Sequence, residues 1–164
     1  MSCETIYHLL GKISVTFASL EHRLVNVLEY LLTEGKDTLV RPYILDDIPI
    51  SRIIQKTRSI AELRLWEHKS TFVELEKVLN DIDDLRVQRN IFIHGDWFIK
   101  ELPDNATDVT FLDYKPRLCK NGLWEYLESV LVTQTELKEL LRKATTALEN
   151  LTSIDADIRK LKFR

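Results

Sequence analysis

With 164 residues the chain has room for one domain with a substantial core and is too short for two ordinary ones. Its 23 Lys plus Arg against 26 Asp plus Glu give a formal charge of -3, which excludes a global basic field, so any anion site must be local. With 45% hydrophobic and 30% charged residues, and no apolar run near the roughly 18 residues of a membrane span, the composition is that of a soluble globular protein without membrane contact.

Residues 1–7 hold one acid and no basic cluster, so no secretion signal is expected and the expected compartment is the cytoplasm. Cys3 and Cys119 lie far apart with no CxxC spacing, which predicts reduced, structurally minor thiols. His8, His22, His68 and His94 lack the close spacing with Cys or carboxylates of a zinc site, and neither metal nor other cofactor is expected.

Along residues 5–33, Ile6, Leu10, Ile13, Phe17, Leu20, Leu24, Leu28 and Leu31 fall on one broad face, predicting a long amphipathic helix that Gly35 stops. His22 falls opposite that face. Residues 36–49, with Pro42, Pro49 and Asp46-Asp47, read as an ordered loop packing through Tyr43, Ile44 and Leu45. A shorter helix is predicted over 50–66, with Ile53, Ile54, Ile60, Leu63 and Leu65 as its apolar set. Its basic residues Arg52, Lys56, Arg58 and Arg64 read first as a solvated face, with a phosphate-attracting role as the alternative. Thr71 with Glu74 fits a capping box and places the start of a third helix there, running to about Ile93 with Gly95 just beyond.

After it the pattern changes to short extended stretches. Trp97-Phe98-Ile99 and 109–114 read as strands joined by a turn at Pro103-Asp104-Asn105. Residues 116–122 read as loop, and 124–132 as a strand or a helical turn. Thr135 is the expected start of a last helix carrying Leu137, Leu140, Leu141, Ala144, Leu148 and Leu151, with the tail from Ser153 extending it or fraying. The expected fold is all-α, a single domain over 1–164: a bundle of four to five helices with a small β-hairpin-like insert after the third.

The third helix breaks its own rule. Leu75, Leu79, Ile82 and Ile93 trace a core stripe, yet positions 86 and 89 on it are Arg86 and Arg89, with Asn90 beside them. Two guanidiniums on such a stripe are costly unless paired, solvated in a cleft or facing a partner, and violations of this kind mark function or strain.

The run Arg89-Asn90-Ile91-Phe92-Ile93-His94, followed by Gly95, resembles the signature of the HEPN superfamily, an arginine and a histidine separated by four to six residues at the end of a bundle helix. The resemblance implies an all-helical domain that forms a homodimer, with the motifs of two copies facing each other across a shared cleft. It further implies a metal-independent endoribonuclease with RNA as substrate, of the kind found in toxin–antitoxin pairs, antiviral defence and RNA processing, and so an antitoxin protein among the partners. In the subgroup whose antitoxin modifies a tyrosine two residues after the histidine, that position here is Asp96, so adenylylation at this site is not expected.

The residue chemistry suits that activity. Cleavage by attack of the 2′-hydroxyl on the adjacent phosphate needs a proton acceptor, a proton donor and stabilisation of developing charge. His94, with an unperturbed pKa of about 6.5, suits proton transfer, and Arg89 presents a fork of donors matched to phosphate. Asn90 would orient the phosphate or hold His94, and Arg86, a turn earlier, would grip a neighbouring phosphate as a substrate-binding residue. Asp96 would raise the pKa of His94 or repel substrate. Two further readings stand beside this one: a catalytically silent module holding a nucleotide, RNA or a protein in the same cleft, and a structural dimer. In the last, Arg86 pairs with Asp83 or a glutamate, Arg89 caps a neighbouring helix, and Trp97 and Phe98 are core or interface residues.

Overall fold

A computed structural model of the chain describes residues 3–36, 48–94, 96–101, 107–112, 117–118, 124–125, 130–131, 133–161 and 163, with backbone alone at 3, 91, 93–94 and the strands. Among these residues there are four helices, α1 (Cys3–Thr33), α2 (Ile50–Arg64), α3 (Lys69–His94) and α4 (Gln134–Ile158). Between α3 and α4 lie five strands: β1 (Asp96–Glu101), β2 (Thr107–Leu112), β3 (Arg117–Leu118), β4 (Trp124–Glu125) and β5 (Val130–Leu131). The helical bundle with a β insert therefore holds, and the insert is larger than one hairpin. Pro103-Asp104-Asn105 and the loop predicted through Tyr43 to Leu45 lie outside the described residues.

The chain divides into two compact units. One comprises 16–85 with 143–164, the other 1–15 with 86–142. In the first, α1 contributes Phe17, Leu20, Leu24, Val27, Leu28 and Leu31 to the core. From α2 come Ile53, Ile54 and Ala61, from α3 Leu75, Val78, Leu79, Ile82 and Leu85, and from α4 Ala144, Ala147, Leu151, Ile154 and Ile158. Their recurrence at three- and four-residue intervals is why these segments are helical here, since each buries one stripe against the others. Truncating one such leucine to alanine costs about 2–5 kcal/mol. Contrary to expectation Leu63 is exposed, because it falls on the outer side of α2 while Thr57 takes an inner position and donates its hydroxyl hydrogen to the Ile53 carbonyl at 2.8 Å.

Side-chain polar bonds fix how the helices of this unit meet. Arg58 bridges α2 to α3, its Nε 2.8 Å from Glu76 and its Nη2 2.8 Å from Asn80. Arg64 caps α1, donating to the terminal carbonyls of Leu31 at 3.0 Å and Leu32 at 3.4 Å, where the helix dipole favours a cation. Half of the basic set on α2 is thus committed to structure. Asp155 of α4, buried, accepts from Arg23 of α1 at 3.1 Å and from Arg159 at 2.8 Å. Tyr30 completes the junction, donating its hydroxyl to the Arg159 carbonyl at 3.1 Å while the Arg159 guanidinium sits 4.7 Å over its ring.

The end of α1 also meets expectation, with one addition. Gly35 adopts φ 74°, as a helix-stopping glycine does, and Glu34 before it is left-handed too at φ 54°. Lys36 donates to Glu34 at 2.8 Å and Arg64 stands 3.6 Å away. The hydrogen bond from Lys36, then the charges of Lys36 and Arg64, outweigh desolvation and hold the Glu34 carboxyl below its ordinary value.

Two helix starts differ from the reading of the sequence. The α3 helix begins at Lys69, not at Thr71, because the chain turns tightly after α2, with the His68 amide on the Leu65 carbonyl and the Phe72 amide on the His68 carbonyl. The Thr71–Glu74 pair is left inside the helix. A capping box instead opens α4: the Thr133 amide donates to Glu136 at 2.6 Å and the Glu136 amide to the Thr133 hydroxyl at 3.2 Å. The α2 helix ends at Arg64, two residues short of expectation, and α4 runs on through the tail to Ile158.

In the second unit Ile6, Leu9 and Ile13 of α1 and Leu137 and Leu140 of α4 are buried. Its sheet has the order β1-β2-β5, with β1 and β2 antiparallel in the register Asp96 to Leu112 through Glu101 to Thr107. The β-favouring runs Trp97-Phe98-Ile99 and Val109-Thr110-Phe111 occupy its centre. Trp124 and Val130, read together as one strand or helical turn, belong to separate strands: β4 pairs with β3, inside the stretch read as loop, and β5 with β2.

Candidate functional site

The last turns of α3 carry the motif, within the second unit. The core stripe of Leu75, Val78, Leu79 and Ile82 includes Leu85, a buried residue the sequence reading passed over. One helical turn on from Ile82 is Arg86, and one on from Leu85 is Arg89, so the apolar row changes directly into a cationic one. Arg86, Arg89, Asn90 and Phe92 are half-buried, whereas Val87 and Gln88 between them are exposed. The anomaly read from periodicity is therefore present in three dimensions: both arginines and Asn90 occupy the inward side of the helix.

Arg89 and Asn90 are brought together. Arg89 donates from Nη1 to the Asn90 side-chain carbonyl at 3.2 Å, while its Nε is buried and donates no hydrogen bond of its own. Other atoms of Arg86 and Arg89 are engaged as well. The bond gives Asn90 a partner in Arg89 that was not expected, made through its side-chain carbonyl. A guanidinium tethered at one edge loses less rotamer entropy on meeting an anion, which is what preorganisation of a phosphate-binding group requires.

His94 is the final residue of α3, and its side chain lies outside the described residues, as do Gly95 and the side chain of Asp96. Its register is nevertheless set by the helix. Positions 86, 90 and 94 follow one another at four-residue steps and share a row, the spacing at which helical side chains neighbour one another. Arg89 and His94, five apart, are separated by about 140° around the helix and about 7.5 Å along it. Within one copy they stand on adjoining rows rather than stacked on one. Asp96 starts β1 opposite Leu112, so only Gly95 separates the helix from the sheet.

His8 and His22 are exposed and His68 is half-buried. Among the described residues no group of His, Cys, Asp and Glu is placed to hold a metal ion, and no helix is long and apolar enough to cross a membrane. No family model, curated protein or solved structure matches the chain.

Proposed function

We propose that the protein is a metal-independent endoribonuclease of HEPN type, acting as a homodimer in the cytoplasm as a toxin or antiviral defence effector, with an antitoxin protein as a further partner. The observation that carries this reading is the replacement of the α3 core stripe by half-buried Arg86, Arg89 and Asn90 in the turns that end at His94. His94 takes the proton of the ribose 2′-hydroxyl as its oxygen bonds to phosphorus. The bond to the 5′-oxygen breaks, and that oxygen receives a proton from the second copy's histidine, leaving a 2′,3′-cyclic phosphate. Arg89, steadied by Asn90, compensates charge on the phosphoryl oxygens, and Arg86 holds a flanking phosphate. The separation of Arg89 and His94, about 140° around the helix and about 7.5 Å along it, suits a cleft in which two copies each supply part of the constellation.

The test is cleavage of RNA in excess chelator by wild type, His94→Ala and Arg89→Ala, with product ends identified. Cyclic-phosphate products from wild type, reduced about 10²- to 10⁴-fold in His94→Ala, are expected. Equal activity in wild type and His94→Ala, or none in either, overturns the proposal.

A second reading, a catalytically silent module that binds a nucleotide, RNA or a protein in the same place, is favoured by the commitment of Arg58 and Arg64 to structural bonds in a chain of formal charge -3. It predicts that Arg89→Ala weakens binding of single-stranded RNA while no cyclic-phosphate product forms.

A further inference from the structure

The seam between the second half of α1 and the end of α4 sets two cations on one buried anion. Asp155 accepts through Oδ2 from Nη1 of Arg23 at 3.1 Å and through Oδ1 from Nε of Arg159 at 2.8 Å. Both guanidiniums hold one carboxylate, so they stand side by side, and the trio carries one positive charge in excess. A single arginine neutralises a buried carboxylate; its burial does not account for two. Arg159 has a second ground, because it directly follows the last residue of α4, where a cation answers the helix dipole. Arg23 has none. It lies away from both ends of α1, and its neighbours at three- and four-residue steps, Ser19, Leu20, Asn26 and Val27, include no acid.

Most donors of the pair stay available. Nε and Nη2 of Arg23 and both Nη atoms of Arg159 make no hydrogen bond or ion pair with the described residues. The two side chains are 37% and 44% exposed against 3% for Asp155, so they cover the carboxylate and still reach solvent. Arg159 is also held in orientation. Its guanidinium lies 4.7 Å over the Tyr30 ring, its carbonyl accepts the Tyr30 hydroxyl at 3.1 Å, and the ring meets Phe163 at a centroid distance of 6.2 Å. A guanidinium tied at Nε and laid on an aromatic face has little rotamer freedom left to lose on meeting a ligand. The surplus charge calls for an anion, and the paired forks select its shape. A planar carboxylate matches one fork, whereas the tetrahedral oxygens of a phosphate can accept from two.

We propose that Arg23 and Arg159, fixed side by side on Asp155, form a phosphate-binding site on the α1–α4 seam, with Tyr30 as the positioning residue for Arg159. The phosphate is either a free or terminal one or a phosphodiester of a nucleic-acid backbone. This site is independent of the ribonuclease reading, since it uses none of the residues at the end of α3.

The test follows the arginine Nε signals of the full chain by proton–nitrogen NMR, with those of Arg23 and Arg159 identified from Arg23→Lys and Arg159→Lys. Inorganic phosphate is titrated first, against acetate and chloride at matched ionic strength. Both signals are expected to shift saturably with phosphate and not with the other two anions. Arg23→Lys keeps a cation for Asp155 but lacks the fork, so it is expected to fold, as checked by thermal melts, and to lose on the order of 10-fold in phosphate affinity. Arg89→Ala is expected to leave the titration unchanged. A ribonucleoside 5′-monophosphate and a 2′-O-methyl oligonucleotide without terminal phosphate, which the proposed nuclease cannot cleave, then distinguish the sources. Saturable shifts with the monophosphate alone assign a terminal phosphate, and shifts with the oligonucleotide assign a backbone phosphodiester; either supports the site. The proposal is overturned if phosphate produces no saturable shift, if acetate acts equally well, or if Arg23→Lys binds phosphate as wild type does. It is also overturned if the shift is lost in Arg89→Ala, which would place the phosphate at the end of α3.

Discussion

Gly11 occupies the middle of α1 on an exposed side, and a Cβ added there meets nothing within 4 Å. A glycine in a helix interior costs conformational entropy without any compensating contact, so Gly11→Ala is expected to raise stability by about 0.5–1 kcal/mol in urea denaturation. A loss of stability would show that this position serves something other than the isolated chain. At Gly35 the same change has the opposite sign. A Cβ there also has room, 4.0 Å from the Tyr30 ring, but φ 74° is a left-handed conformation that alanine resists by about 1 kcal/mol. Gly35→Ala is thus expected to lower the urea midpoint. The neighbouring Glu34, with its carboxyl held below the ordinary value, adds stability at neutral pH that is lost as pH falls through the folded value. At the site itself, Arg86 and Arg89 were legible as violations of a pattern, because a periodic stripe states what each position ought to be. The bond from Arg89 to Asn90 was not, since adjacent residues on a helix share no row and periodicity says nothing about them.

Elements repeat this division between what repeats and what is arranged by neighbours. Helix faces were legible because burial acts on many residues at once. Their ends were not, and the two candidate capping boxes show why. Thr71-x-x-Glu74 and Thr133-x-x-Glu136 have the same sequence form, yet only the second caps a helix. Ahead of Thr71 the chain already turns on backbone bonds, the His68 amide to the Leu65 carbonyl and the Phe72 amide to the His68 carbonyl, so α3 is under way before Thr71 is reached. Thr133→Ala should therefore cost about 1 kcal/mol of unfolding free energy, whereas Thr71→Ala should change it by less than about 0.5 kcal/mol, both read from chemical denaturation. Equal costs would mean that Thr71 has a role beyond capping. Strand pairing was legible for β1 and β2, whose apolar runs are long enough to alternate, but not for two-residue β3, β4 and β5, which exist only by pairing with a distant partner.

For the whole molecule, the proposed ribonuclease reading requires, at a formal charge of -3, that the cationic groups be concentrated in one place, and with Arg58 and Arg64 of α2 committed to structural bonds the place proposed is the end of α3. Concentration by dimerisation makes a prediction that single-copy catalysis does not. If one copy's His94 is the base and the other's the acid, a dimer holding one wild-type and one His94→Ala chain lacks one proton transfer and is inactive. In a fully exchanged equal mixture about a quarter of the dimers are wild type on both sides, so activity per total wild-type chain should fall to about half. If each copy works alone, adding the variant should leave activity per wild-type chain unchanged. Titrating His94→Ala into a fixed amount of wild type under chelator, with exchange confirmed by mass-tagged chains, separates the two. A curve that falls with the wild-type fraction supports the shared cleft, and a flat one places both proton transfers within a single chain.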